Sequence, residues 1–310
     1  MAYLYYRSVT VDYTKVPNTD QSNFPVLVSG TYSYLATEAN GGKVKHASGY
    51  DVAFYSDSAL TTQLKHEVEK WVATTGEVIY WVKIPTLSYT ANTVFYIAYG
   101  NASISTDQSD AVNVWDADFL GVWHLNDADG PSQDSTTNNN DGTETGVVTF
   151  GATGKIGPGA TFDGSTARLS GGPSKTAIGA DLTISAWVNS DSTGTLTRGV
   201  LSIADSAASG SPWILLRRNA VNQLIWYINA GNRITHSIGD NAFAKVDLTY
   251  DGTTWLGYKN GVADGTYVGA LGTLGGSTLF LASGYENCWK GTLDEVRVSS
   301  TPRSADWLTT

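Results

Sequence analysis

The chain has 310 residues, room for one large or two ordinary domains, and 41% of them are hydrophobic, enough for sizeable cores. Charged residues make up only 15% of the chain, against a usual level of about 25%, so Ser, Thr, Asn, Gly and Tyr must cover much of the surface. A net charge of −10 argues against nucleic acid and anionic membrane as partners, since both need Lys/Arg patches, and a single cysteine, Cys288, excludes an intrachain disulfide.

The start of the chain, Met1 to Ser8, has neither a basic nor an apolar signal segment, and no run of 18 apolar residues follows that could span a membrane. High Gly and Trp contents with few charges suit turn-rich β-proteins found outside cells or on virions. With no signal peptide in this chain, an extracellular or virion-surface location is expected, weighted by that start towards the virion.

Residues 1–115 read as strands. Tyr5 to Asp12 alternates with period two, Phe24 to Ser29 is a continuous buried-type run, and Asp51 to Tyr55 precedes a Ser-Asp-Ser turn. His66 to Trp71 alternates again. Val78 to Ile84 and Thr93 to Tyr99 are rich in β-branched and aromatic residues, the strongest strand signal in this half. Tyr32 to Ala39 reads as a short helix. Many strands at short spacing with polar turns predict a sandwich or barrel.

Residues 101–118, rich in Ser, Asp and Asn, mark a boundary, placed between 115 and 116. Next comes a short apolar run, Val122, Trp123 and Leu125, broken by His124, and then a loop dense in Asp, Asn, Ser and Gly as far as Gly142. Such a loop has two readings. Asx and Gly residues favour turns. Calcium takes six to eight oxygen ligands, and Asp134 and Asp141, with carbonyls around Asn138 to Asn140, could supply several.

Residues 116–310 are again all β. Leu182 to Val188 alternates, with Leu182, Ile184, Ala186 and Val188 on one face. Further strands are expected at Gly199 to Ile203, Trp213 to Arg217, Gln223 to Ile228, Ala244 to Tyr250, Ser277 to Ala282 and Gly291 to Val298. Asp251-Gly252 and Asn260-Gly261 predict hairpin turns.

Two family resemblances follow from these residues. Tyr6-Arg7, Phe24 to Val28, Asp51 to Phe54, His66-Glu67, Trp81 to Pro85, Tyr99 to Asn101 and Val114 to Asp116 resemble the family of unknown function DUF2341, which implies a β-sandwich and no established activity. Val122 to Leu125, Asp134-Ser135, Asn140 to Gly142, Ala160 to Gly164, Leu182 to Val188, Tyr250 to Trp255, Lys259 to Gly261 and Gly291 to Val298 resemble the LamG-like jelly roll, a concanavalin A-like lectin sandwich. The fold expected is therefore all-β: two β-sandwich domains, the second a LamG/concanavalin A-like jelly roll. The second resemblance implies a structural calcium at Asp134, Asn140, Asp141 and Asp294, which requires the first and last strands of that domain to be neighbours. Asp294 has an ordinary alternative, a salt bridge to Arg297.

For glycan recognition, aromatics that stack on sugar C–H faces and polar groups that bond hydroxyls are needed. The candidates are Trp213, Tyr227, Arg233, His236, Tyr285 and Trp289, with Asn229 and Asn232 beside them; Trp123 and Trp187 are assigned to the core. Glu67 and Glu69 share the spacing of paired carboxylates on one strand face, but Lys65 and Lys70 beside them favour an ordinary charged face, and no glycosidase strand motif is present. Asp294 and Glu295, being adjacent, are expected on opposite faces. The four histidines lack ligand-like spacing, and Cys288 lacks a catalytic signature.

The expectation is a non-catalytic protein that binds a carbohydrate or a cell-surface receptor, as a phage virion adhesin. The alternatives are a structural capsid-decoration or surface-layer protein whose partners are virion coat proteins or further copies of itself, and a glycoside-active enzyme.

Overall fold

In the computed structural model, residues 2–172, 181–191, 196–204, 214–239, 241–271, 278–283 and 287–310 are described. The chain divides into Met1–Asp116 and Ala117–Thr309. The first unit contains β1 (Tyr5–Val11), β2 (Gln21–Thr31), β3 (Val52–Tyr55), β4 (Gln63–Leu64), β5 (His66–Val72), β6 (Glu77–Leu87) and β7 (Thr93–Tyr99). They form a four-stranded sheet in the order β1-β7-β3-β4 and a three-stranded sheet in the order β2-β6-β5, antiparallel throughout. Period-two alternation sends Val78, Tyr80, Val82 and Ile84 of β6, and Phe95, Ile97 and Tyr99 of β7, into one core with Phe54. Both prolines of the three-stranded sheet sit where no ladder hydrogen bond is lost. Pro25 lies on the edge strand β2, and Pro85 lies beyond the last β6 residue paired with β5.

The helix expected from Tyr32 to Ala39 is instead two 3₁₀ turns, Ser33–Leu35 and Glu38–Asn40. Tertiary backbone bonds break the continuity: Thr37 N donates to Ala73 O, and Val44 N donates to Ala36 O. Gly42 permits that second approach, since a Cβ there would stand 1.9 Å from Ala36 O.

The second unit contains β8 (Phe119–Trp123), β9 (Thr143–Thr145), β10 (Thr149–Thr153), β11 (Pro158–Asp163), β12 (Arg168–Gly171), β13 (Asp181–Ser190), β14 (Arg198–Ala204) and β15 (Ile214–Arg218). It continues with β16 (Gln223–Ile228), β17 (Gly231–Ser237), β18 (Phe243–Asp251), β19 (Thr254–Lys259), β20 (Val262–Val268), β21 (Thr278–Leu281), β22 (Asn287–Cys288), β23 (Lys290–Ser299) and a terminal helix, α1 (Ala305–Thr309). One sheet runs β10-β11-β23-β13-β18-β19-β20, with β8 also on β23. The other runs β17-β16-β15-β14-β21-β12-β9, with β22 beside β14. Leu182, Ile184, Ala186 and Val188 line the core between the sheets, as their alternation requires, together with Trp123. Trp187 does not join them. One residue out of phase, it is half-buried with Lys155 Nζ 5.0 Å over its ring. At the β19–β20 hairpin both Asn260 and Gly261 have positive φ, the conformation that an Asn-Gly two-residue turn supplies.

The last strand organises the whole unit. Between β11, which pairs with residues 290–293, and β8, which pairs with residues 296–299, β23 carries Asp294 and Glu295. Glu295 has φ +52, and the β13–β23 register slips at this point, the signature of a β-bulge. Leu293, Val296 and Val298 all reach the core, so both acidic residues are left outside it. The adjacent carboxylates therefore do not lie on opposite faces, because the extra residue cancels the alternation.

Candidate functional site

The Asp/Asn loop after β8 is held by its own side chains. Asp134 Oδ1 accepts hydrogen bonds from the backbone N–H groups of Val122 (2.9 Å) and Thr136 (3.0 Å). Its Oδ2 accepts from Thr136 Oγ1 (2.9 Å) and from Asn140 N (2.9 Å). A carboxylate offers about four acceptor positions, and all are used. Asp141 Oδ1 accepts from Asp134 N at 2.9 Å, and Asn140 O accepts from Trp123 Nε1 at 3.0 Å. The Asn138 and Asn140 amides donate to Phe119 O and Leu120 O, pinning the loop to β8.

The strands β8 and β23 are neighbours, as convergence on a cation required. Asp294 nevertheless turns to the β10–β11 loop, where its Oδ2 accepts from the N–H groups of Lys155 (2.6 Å) and Ile156 (2.8 Å). Asp134, Asp141 and Asp294 do not form a group of three whose ligand atoms all lie within 4.8 Å of one another. The four expected ligands thus do not fit a shared calcium. Nor does Asp294 pair with Arg297, whose Nη2 donates to Glu295 Oε2 at 2.6 Å. Burial, and then the neighbouring Glu295 charge, push the Asp294 carboxyl up to about 7. Burial also pushes Glu295 upward, but His124, with Nδ1 2.7 Å from Oε1, and Arg297 outweigh it and hold the group below its ordinary value.

The six glycan candidates separate. Trp289 is fully buried in the core of the second unit and cannot meet a ligand. His236 is also fully buried, because β17 turns Ile234 and His236 to the same inner side; Nδ1 lies 3.0 Å from Asp264 Oδ2. Arg233 is exposed but committed to a neighbour, its guanidinium 4.5 Å over the Tyr267 ring. Trp213 and Tyr285 lie outside the described residues.

Tyr227 occupies the outer side of β16, since Leu224, Trp226 and Ile228 take the core side. Arg217 of β15 lies over its ring, with Cζ 5.0 Å from the centroid, and Arg217 Nη2 donates to the exposed Asn232 at 2.9 Å. A half-exposed ring, a planar guanidinium and an amide therefore share one patch. Arg217 was missed as a candidate. The available signal was its phase, opposite to the core residues Ile214 and Leu216.

In the first unit, the paired-carboxylate candidates are each occupied. Glu67 Oε2 accepts from Trp115 Nε1 at 2.9 Å, and Glu69 Oε2 from Trp81 Nε1 at 2.8 Å. The β5–β6 register slips at Glu69, so the simple i, i+2 relation is lost. Cys288 is half-buried, and burial raises its thiol, which opposes thiolate chemistry.

Residues 48–147 match the DUF2341 family model, a domain of unknown function, and residues 162–309 match the concanavalin A-like lectin/glucanases superfamily. No curated protein matches the chain. Among solved structures, the binding domain of botulinum neurotoxin DC in complex with SialylT is 12% identical with a TM-score of 0.50, over 62% of this chain and 50% of that one. Trypanosoma rangeli sialidase in complex with 2,3-difluorosialic acid is 15% identical with a TM-score of 0.50, over 74% of this chain and 40% of that one. Domain 4 of AbnA, a GH43 extracellular arabinanase from Geobacillus stearothermophilus, is 18% identical with a TM-score of 0.47, over 62% and 96% of the two chains. The chain thus spans half or less of the toxin and sialidase chains, and at these identities the likeness is one of fold. The chain carries a DUF2341 domain followed by a concanavalin A-like jelly roll of the LamG type.

Proposed function

We propose that the jelly-roll unit is a non-catalytic module that binds a glycan or a glycosylated receptor on the patch formed by Tyr227, Arg217 and Asn232. The observation that carries the reading is the Arg217 guanidinium lying over an outward-facing tyrosine, with an exposed amide beside it. Such a patch offers a ring face for sugar C–H groups and planar donors for hydroxyls. The toxin binding domain of similar fold, in complex with SialylT, supports a recognition role. The low surface charge supports an extracellular or virion-surface setting, where the protein would act as an adhesin. The engagement of Glu67 and Glu69 by indole N–H groups supports a first unit that is likewise non-catalytic.

Glycan-array screening of the intact protein, followed by titration calorimetry on the best ligand, tests this. Tyr227→Ala is expected to weaken binding at least tenfold, about 1.4 kcal/mol, with an unchanged circular dichroism spectrum. Equal affinity of wild type and Tyr227→Ala removes the patch from the reading. Polysaccharide cleavage that is lost in Glu67→Gln or Glu69→Gln would establish the glycoside-active alternative instead.

A further inference from the structure

The first unit contains a cavity of about 430 Å³, within the range of about 300–1,000 Å³ usual for small-molecule sites. It lies where the edge strands of the two sheets, β1 and β2, leave the sandwich open. Val9 and Ile97 from one sheet and Val28 from the other form an apolar floor, and Tyr32 and Tyr34 line it from the segment after β2. Arg7, exposed on β1, completes the lining.

The arginine is held in place by the aromatic row. Its Cζ lies 4.2 Å from the Tyr34 ring centroid, and its Nε donates to Tyr99 Oη at 3.2 Å. Tyr34 stacks on Tyr99 at 5.3 Å, and Tyr99 stacks on Tyr5 at 5.7 Å. Lys43 Nζ lies 5.8 Å over the Tyr5 ring, adding a second cation to the same row. Among the described residues no carboxylate pairs with Arg7, and no acidic side chain lines the cavity. In a chain of net charge −10, a preorganised guanidinium without an acidic partner, set over tyrosines and an apolar floor, is a selective arrangement. A guanidinium with one nitrogen anchored keeps its two terminal groups for bidentate contact with a carboxylate.

We propose that this cavity binds a single acidic sugar residue, of the uronic or sialic acid type. The sugar carboxylate pairs with Arg7, and its C–H face rests against the tyrosine wall and the valine floor. This site belongs to the first unit and is independent of the Tyr227 patch.

The test is titration of the intact protein with galacturonate, N-acetylneuraminate, galactose, benzoate and inorganic sulfate, followed by saturation-transfer NMR and calorimetry. At least one acidic sugar is expected to bind tenfold or more tightly than galactose. Arg7→Gln should remove that preference, and Arg7→Lys should restore only part of it. Tyr99→Phe, which removes the acceptor for Arg7 Nε, should weaken acid binding severalfold without changing galactose binding. Tyr227→Ala should leave acid binding unchanged. Because Arg7 is exposed, unaltered melting of Arg7→Gln is expected and checks folding. The proposal is overturned if no acidic sugar binds more tightly than galactose, or if Arg7→Gln binds the acid as wild type does. It is equally overturned if benzoate or sulfate binds as tightly as the sugar acids, or if Tyr227→Ala alone abolishes binding.

Discussion

His66 packs against Phe54 at 5.2 Å and Tyr80 at 6.1 Å and is 1% exposed. Burial lowers its pKa to about 4; a hydrogen bond with the Leu64 backbone and the charges of Asp107 and Asp110 oppose this without cancelling it, and Lys65 adds to the lowering. The unfolded chain therefore binds the proton near its ordinary value of about 6.5 while the folded chain resists it. Neutral His66 contributes stability that is fully present above pH 6.5 and is lost as pH falls towards 4. At roughly 1.4 kcal/mol per unit the whole effect is about 3 kcal/mol. Urea unfolding followed by fluorescence at pH 7.5, 6 and 4.5 should show this loss, and His66→Gln should flatten the slope between pH 6.5 and 4. A slope unchanged in the variant would assign the acid sensitivity to other groups.

At the scale of the element, the loop from His124 to Gly142 shows a polar segment ordering itself. Its carboxylate Asp134 gathers N–H groups from β8, from its own turn and from Asn140. Removing it leaves several buried donors without an acceptor, each costing about 1–3 kcal/mol. Asp134→Ala should therefore destabilise the second unit by roughly 3 kcal/mol, whereas Asp134→Asn, which keeps one acceptor oxygen, should cost less. Differential scanning fluorimetry with calcium and with EDTA separates clasp from cation site. Since the acceptor positions are used internally, the wild-type melting temperature should not respond to either. A rise of several degrees with calcium that vanishes in Asp134→Ala would restore the metal site.

Across the whole molecule, each unit has its own hydrophobic core: the cluster of the first ends at Tyr99, and that of the second begins at Leu120. The second unit is closed by its last strand, since β23 pairs with β8, β11 and β13. Its partners precede it by more than a hundred residues, so the loop-closure cost falls late and the unit cannot be stitched together until β23 is available. A chain truncated after Trp289 should lose the cooperative melting of the second unit while the first unit still unfolds cooperatively. Calorimetry and limited proteolysis of the truncated and full-length proteins check this. Survival of both transitions in the truncated chain would show that β23 is dispensable for closure.

The sequence by itself determined the strands and their faces wherever alternation is unbroken, as in Leu182 to Val188, the Asn260-Gly261 hairpin, and the two-family order along the chain. These depend on local chemistry: a β-branched or aromatic period of two, and turn residues able to adopt positive φ. The candidate site was legible only in part. Tyr227 could be read as outward from its strand phase, but the guanidinium that covers it comes from another strand. Trp289, beside a half-buried cysteine and outside any alternating run, gave no local sign that it enters the core. The bulge at Glu295 brought two adjacent carboxylates to one side, and no local pattern announces an extra residue whose partner strand is a hundred positions away. That Asp134 gathers backbone N–H groups from β8 and from Asn140 is likewise a property of the tertiary structure. A carboxylate is defined by the donors that reach it, and those donors come from a neighbouring strand and from the far end of its loop.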